Sequence, residues 1–439
     1  MTSPLFGVIE EIEVSAQARV YEEGWQSWSP TAWYPATAAR SARPDEPWQH
    51  RMRFCTGHDL PAGGFQGEGL LVVDPGAGAP VRVFGSTDVV AVPAIRANLA
   101  GDRLVITADG PVASWTATGA GQALAEFGAA LAAAGGGGRL RPAPTAWCTW
   151  YRYFEDVTEA DVLENLQQIR ALDLPVDVIQ IDDGWATGVG DWTTLAPGFT
   201  SLVRLAATIR AADLRAGIWI APFTVGSRSA LAAEHPDWLV GAGGANWNQD
   251  LHGLDLTHPG ACAYLWQVLR TLREVGFDYV KLDFLYTGAL PGRRHQELTP
   301  TEAYRSGLEL VRDAVGPETF LLGCGAPILP SVGLVDAMRV SPDTFHEGAQ
   351  DGSAGLRGAP GALARAWQHG RLWTNDADCF VGRPSFAQRV EWAGVIERCG
   401  GLRSASDRIT ELDDWGLSTT RRLLSRAPGP EPFASQGDP

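Results

Sequence analysis

Val176-Asp-Val-Ile-Gln180-Ile-Asp182-Asp183-Gly184-Trp185 is a short, mostly apolar run that stops on two adjacent carboxylates and a glycine. Its length suits a strand and is too short for a helix. Before it lies 158–171, opened by Thr158-Glu-Ala-Asp161, a capping-box-like start, with Leu163, Leu166 and Ile169 spaced to share one face of a helix. Helix-patterned stretches alternating with short apolar runs are the signature of βα units around a parallel sheet.

Outward from this unit the same texture continues from Thr145 to the region of residue 404. It supplies eight strand candidates: 146–150, 176–181, 216–222, 279–284, 320–323, 337–341, 372–375 and 402–404. Their number and the length they occupy match a (β/α)₈ TIM barrel. Upstream, alternating runs such as Ile12-Glu-Val-Ser15, Gly69-Leu-Leu-Val-Val73, Val81-Arg-Val-Phe84 and Arg103-Leu-Val-Ile-Thr107 are separated by Gly, Pro and Asp, the pattern of an antiparallel β-sandwich. A helical stretch, 121–134, then runs into Gly135-Gly-Gly-Gly138. The expected organisation is an N-terminal sandwich with linker at 1–138, the barrel at 139–410, and a helical segment with a flexible tail at 411–439.

Composition narrows the function. The 439 residues include 45% apolar and 20% charged residues, which fits a folded globular protein. With 35 basic against 51 acidic residues the net charge is −16, unsuited to nucleic acid or anionic lipid as a partner. The opening MTSPLFGVIEEIEVS has neither a basic n-region nor an apolar h-region, so a cytoplasmic location is expected. The six cysteines (Cys55, Cys148, Cys262, Cys324, Cys379, Cys399) form no Cys-x-x-Cys pair, which argues against a disulfide scaffold or a structural zinc site. The 17 tryptophans suit either core packing or stacking on sugar rings.

In a (β/α)₈ barrel the active site lies at the C-terminal ends of the strands. Four candidate strands end in aspartate: Gln180-Ile-Asp182-Asp183, Lys281-Leu-Asp283, Arg339-Val-Ser-Pro-Asp343 and Asn375-Asp376-Ala-Asp378. One such residue could simply cap the following helix. Four in one barrel, with Lys281 and Arg339 among them, read as a site. Strand alternation puts Lys281 and Asp283 on one face, so Asp283 is the candidate for a charged nucleophile. Asp343 is then the partner that donates and accepts a proton. Opposed carboxyl groups of this kind serve glycoside hydrolysis, at a separation of about 5 to 5.5 Å in a retaining mechanism. Arg339 beside Asp343 would weaken it as an acid, so Arg339 is expected to turn toward the nucleophile or a sugar hydroxyl. Asp182 and Asp183 suit paired sugar hydroxyls better than Mg²⁺, given Lys281 in the same mouth and no histidine cluster.

These motifs resemble the retaining, melibiase-like α-galactosidases of glycoside hydrolase family thirty-six in clan D. The resemblance spans Ala146-Trp-Cys-Thr-Trp150 through Gln180-Ile-Asp-Asp-Gly-Trp185, Gly217-Ile-Trp219-Ile-Ala-Pro-Phe223, Lys281-Leu-Asp283-Phe, Gly323-Cys324-Gly-Ala-Pro and Met338-Arg339-Val-Ser-Pro-Asp343 to Asn375-Asp-Ala-Asp378. Glu23-Gly-Trp25-Gln-Ser-Trp28 looks like part of that family's N-terminal sandwich. The resemblance implies Asp283 as nucleophile, Asp343 as acid/base, and Asp182 and Asp183 on the 4- and 6-hydroxyls of galactose. Lys281 and Arg339 would bind neighbouring hydroxyls, Trp150 and Trp219 would line the sugar subsite, and Trp25 or Trp28 would reach in from the sandwich. Cys324 sits where the family has a pocket thiol, and its bulk beside carbon 2 favours galactose over N-acetylgalactosamine. No metal or organic cofactor is implied.

Family members commonly continue into a C-terminal β domain, and usually have Pro at the place of Ala377 and often Trp or Ile at the place of Leu282. The partner expected is a small α-galactoside. Two other readings share the motifs: a raffinose-synthase-like galactosyltransferase or transglycosylase, and a noncatalytic galactoside-binding barrel. The matched pair Asp283 and Asp343 counts against the last of these.

Overall fold

A computed structural model describes residues 5–37, 47–58, 61, 63–136, 140–345, 356–426, 428–429 and 431–433. Residues 137–138 of the expected linker, the first residue of the expected barrel at 139, and most of the expected tail from Ala427 lie outside the described residues.

Eight parallel strands form one sheet: β1 (Ala146–Cys148), β2 (Val178–Ile181), β3 (Arg215–Ile220), β4 (Phe277–Leu282), β5 (Phe320–Gly323), β6 (Ala337–Arg339), β7 (Thr374–Asp376) and β8 (Ser404–Ala405). Their order is β7-β6-β5-β4-β3-β2-β1-β8. Just beyond β7 a parallel bridge joins Phe380 to Ala405 of β8. The sheet therefore curls as in a TIM-like barrel, around an interior of Val178, Tyr279, Phe320, Leu322 and Ala337.

All eight strand candidates are found, most of them shorter than the apolar runs that announced them. β2 stops before Asp182 and β4 before Asp283, because the backbone leaves the ladder there; Phe284, directly after Asp283, has φ 50°. The helix Glu159–Ala171 carries the expected capping box, with Thr158 and Asp161 side chains each accepting from the other's backbone N–H. Its buried face is Val162, Asn165, Leu166 and Ile169, one residue off the expected line, and Leu163 is only half-buried.

One element was not anticipated. After β3 the chain makes a three-stranded antiparallel sheet from Thr224–Gly226, Leu239–Asn246 and Gln249–Leu254. Its hairpin turns on Trp247 and Asn248, with φ of 50° and 53°. A two-residue hairpin turn of this hand needs positive φ at both positions, a demand that Asn meets easily and Trp does not.

The N-terminal residues form two antiparallel sheets. The four-stranded one contains Gly7–Glu13, Phe65–Glu68, Ala94–Ala100 and Arg103–Ala108, and the five-stranded one Arg19–Glu22, Ala32–Pro35, Leu70–Asp74, Val81–Gly85 and Ala113–Ala117. Ile12, Phe65, Ile95, Leu104 and Ile106 from the first pack with Val20, Leu71, Val73 and Phe84 from the second.

A fully buried ion pair fastens these sheets to the barrel. Arg365 Nε lies 2.6 Å from Glu23, and its other nitrogens donate to the carbonyls of Gly24, Gln26, Ser27 and Val340. Removing either partner would leave an uncompensated buried charge. Ser27 N–H also donates to Ala326 O (3.1 Å) and Ile328 N–H to Trp25 O (2.9 Å), so the 23–29 segment is stitched to the loop after β5.

Candidate active site

A cavity of about 500 Å³ opens at the C-terminal ends of the strands. Ten of its lining residues are Trp28, Trp150, Asp182, Asp183, Trp219, Trp247, Lys281, Asp283, Phe284 and Asp343. Met52, Arg53 and Arg357 add an outer rim.

At the centre, β4 projects Lys281 and Asp283 to the same side, as alternation requires. Lys281 Nζ lies 2.9 Å from Asp182 and 3.9 Å from Asp283. Burial alone would lower the pKa of the amine, but Asp182 and then Asp283 outweigh it and hold it well above its usual value. Asp283 Oδ2 also accepts the indole N–H of Trp219 (3.0 Å), and Oδ1 the backbone N–H of Phe284 (2.8 Å). Two hydrogen-bond donors thus orient this carboxylate, with the Lys281 ammonium 3.9 Å away.

Beside it, Asp182 accepts from Gln180 Nε2 (2.7 Å) as well as Lys281. Asp183 accepts from Trp247 Nε1 (2.8 Å), contributed by the unforeseen hairpin. Burial and then the adjacent Asp182 charge push the Asp183 carboxyl up to about 7. Trp247 and Trp28 both pack on Phe284, with ring centroids 4.8 and 5.0 Å away. The positive φ at Phe284 and at Trp247 therefore places these aromatic rings against one another over the cavity floor.

Across the mouth stands Asp343, with 38% of its side chain open to the cavity. Arg339 Nη1 donates to it at 3.1 Å, while the rest of the guanidinium is held by Asp376 (3.1 Å) and Asp378 (2.6 Å). The expectation that Arg339 turns toward the nucleophile or a sugar is corrected: it lies among three carboxylates, because Asp376 and Asp378 at the end of β7 compete for it. The consequence feared for Asp343 does not follow. Enclosure by the cavity walls and the Asp378 charge outweigh Arg339, and the Asp343 carboxyl is pushed up to about 7.

Of the sequence candidates, Trp28, Trp150, Asp182, Asp183, Trp219, Lys281, Asp283 and Asp343 meet on the cavity wall. Three do not. Arg339 lies behind Asp343. Trp25 is buried in the stitched segment, so Trp28 is the tryptophan that reaches in. Cys324 is fully buried beneath the cavity rather than on its wall, with its thiol pKa raised by burial and by Asp283. In the sequence Asp376 and Asp378 mark only a strand end, and the sole signal for Trp247 is its place between Asn246 and Asn248.

Known proteins share sequence and fold with this chain. The Melibiase family profile matches residues 139–308. A probable α-galactosidase G of Aspergillus terreus is 30% identical over 118 residues, 23% of this chain and 16% of that protein. The α-galactosidase AgaA of Geobacillus stearothermophilus is 26% identical over 194 residues, 40% of this chain and 26% of that protein. The matched segments span about a quarter or less of these curated relatives. The structure of TtGalA, the α-galactosidase of Thermus thermophilus in complex with p-nitrophenyl α-D-galactopyranoside, superimposes with a TM-score of 0.80 at 27% identity, covering 98% of this chain and 92% of that one. Over residues 139–308 the chain matches the melibiase family, and in sequence and fold it is similar to α-galactosidases of family thirty-six.

Proposed function

We propose that the protein is an exo-acting α-galactosidase that cleaves terminal non-reducing α-D-galactosides of the melibiose and raffinose type by double displacement, on a closed (β/α)₈ barrel with an N-terminal β-sandwich. The observation that carries this reading is the contrast between two carboxylates of one cavity. Asp283 is surrounded by donors, whereas Asp343 has its carboxyl pushed up to about 7. Glycoside cleavage with retention uses such a pair as nucleophile and acid/base.

The sugar enters with its 4- and 6-hydroxyls toward Asp182 and Asp183, and Trp219, Trp150 and Trp28 enclose its faces. Asp343 donates its proton to the glycosidic oxygen as Asp283 attacks the anomeric carbon, which forms a β-linked galactosyl ester and releases the aglycone. Asp343, now a carboxylate, takes a proton from water, and the water attacks the anomeric carbon from the opposite face. Asp283 departs and α-galactose is released. Lys281 and Trp219 stabilise the carboxylate as it re-forms. The aglycone leaves past Met52, Arg53 and Arg357.

Trapping tests the assignment. A 2-deoxy-2-fluoro-α-galactosyl donor with an activated leaving group should add one fluorogalactosyl mass to the peptide holding Asp283. Asp283→Ala should lose nearly all turnover, with azide restoring a β-galactosyl azide. Labelling of a different carboxylate would overturn the nucleophile assignment.

A further inference from the structure

Away from the cavity, three side chains of different chemistry converge at the edge of the four-stranded N-terminal sheet. Cys55 and His58 share one turn, closed by the His58 N–H donating to Cys55 O at 3.3 Å. Glu68, at the end of the strand Phe65–Glu68, brings Oε2 to 2.7 Å from His58 Nδ1. The Cys55 thiol, the His58 imidazole and the Glu68 carboxylate each offer a ligand atom, all within 4.8 Å of one another. Asp109 stands on the other side of the ring, its Oδ2 3.8 Å from His58 Nε2.

We propose that Cys55, His58 and Glu68 form a binding site for a divalent transition ion of the zinc type, with water completing its coordination and Asp109 standing behind the imidazole. Thiolate, imidazole and carboxylate together suit a borderline-soft, four-coordinate ion, whereas Mg²⁺ and Ca²⁺ take oxygen ligands. The carboxylates are well desolvated, with 6% of the Glu68 and 7% of the Asp109 side chain exposed. Outer contacts hold the donors in place. Gln66 Nε2 fixes the other oxygen of Glu68 at 2.9 Å, and Arg96 Nε donates to Gln66 Oε1 at 2.9 Å. Asp109 Oδ1 accepts the backbone N–H of Ala94, which leaves Oδ2 directed at the imidazole. Such supporting hydrogen bonds are the usual companions of metal ligands.

The position gives the ion a task. Cys55 follows the helix Pro47–Arg53, whose Met52 and Arg53 line the outer rim of the cavity. An ion at Cys55 ties the end of that helix to the sheet through Glu68. Binding exchanges protons for metal: the thiol and the imidazole each release one as they ligate.

The test uses the full-length protein purified without chelator, with metal content measured by mass spectrometry. One zinc-like ion per chain is expected, together with a fall in Tm of several degrees on treatment with a strong chelator, reversed by Zn²⁺. Exchange for Co²⁺ should give a thiolate-to-cobalt absorption in the near ultraviolet. That band should vanish in Cys55→Ser and persist in Cys262→Ser. Glu68→Gln, which leaves the turn intact, should weaken ion retention at least tenfold. A protein that stays metal-free after dialysis against excess Zn²⁺, with Tm indifferent to chelator, overturns the proposal and leaves His58 as an imidazole paired with two carboxylates. A cobalt band that survives Cys55→Ser overturns it as well. None of these readouts depends on α-galactosidase activity.

Discussion

Arg339 Nη1 donates to Asp343 Oδ1 at 3.1 Å, yet the same guanidinium contacts Asp376 and Asp378, and the last of these charges acts back on Asp343. Asp378 is therefore a positioning residue that keeps the proposed acid protonated near neutrality. It accepts from Thr344 N–H and Oγ1 at 2.8 and 2.9 Å, and from Tyr151 Oη, contacts that an asparagine can largely preserve. Asp378→Asn removes a like charge, so the Asp343 pKa should fall from about 7. The alkaline limb of kcat/KM for raffinose should move toward acid, whereas a purely structural role would lower activity without moving the limb.

Trp247→Phe keeps the ring on Phe284 and removes only the N–H that favours the Asp183 anion. The Asp183 pKa should then rise above about 7. KM should rise about ten- to a hundredfold at pH 7, the worth of one hydrogen bond to a charged group, and the difference should narrow by pH 9, where Asp183 is ionised in both proteins. Steady-state kinetics at the two pH values decides this.

The raised Asp343 carboxyl has a cost in stability whose sign is fixed. Its folded pKa, about 7, lies above the unfolded value near 3.9, so the folded state retains a proton between these pH values and stability falls as pH rises through that window. Asp343→Asn does not titrate. Its Tm relative to the parent should grow from pH 4 to pH 7 and level off above, while turnover of natural substrates falls about 10²- to 10⁴-fold. A pH-independent difference in Tm would contradict the assignment.

Glu23→Gln leaves Arg365 buried without its carboxylate. Breaking such a pair costs about 3–5 kcal/mol. A large fall in Tm is expected, with KM rising as the 23–29 segment releases Trp28 from the cavity.

The parallel sheet is legible in the sequence because its strands are mostly apolar runs, buried on both faces, and because four of them end abruptly on a carboxylate. Those ends placed Asp182, Asp183, Asp283 and Asp343 in one cavity. The hairpin carrying Trp247 escaped notice because its first strand, Leu-Val-Gly-Ala-Gly-Gly-Ala-Asn, is rich in Gly and Ala and lacks alternation. The direction of Arg339 was equally hidden, since strand alternation shows which face a side chain takes but not which of several carboxylates it will contact. Trp25 and Trp28 could be separated only once the pairing of 23–29 with the loop after β5 was visible. The turn Cys55-Thr-Gly-His58 is passed over by any search for Cys-x-x-Cys, and its third donor, Glu68, is ten residues from His58.

Proton NMR of p-nitrophenyl α-galactoside hydrolysis, followed from the first seconds before mutarotation, tests the double displacement by Asp283 and Asp343 most directly. The account predicts that α-galactose appears first and β-galactose only later, as the anomers equilibrate. β-Galactose as the first product would contradict it, because a single displacement by water would then leave Asp283 without a covalent role.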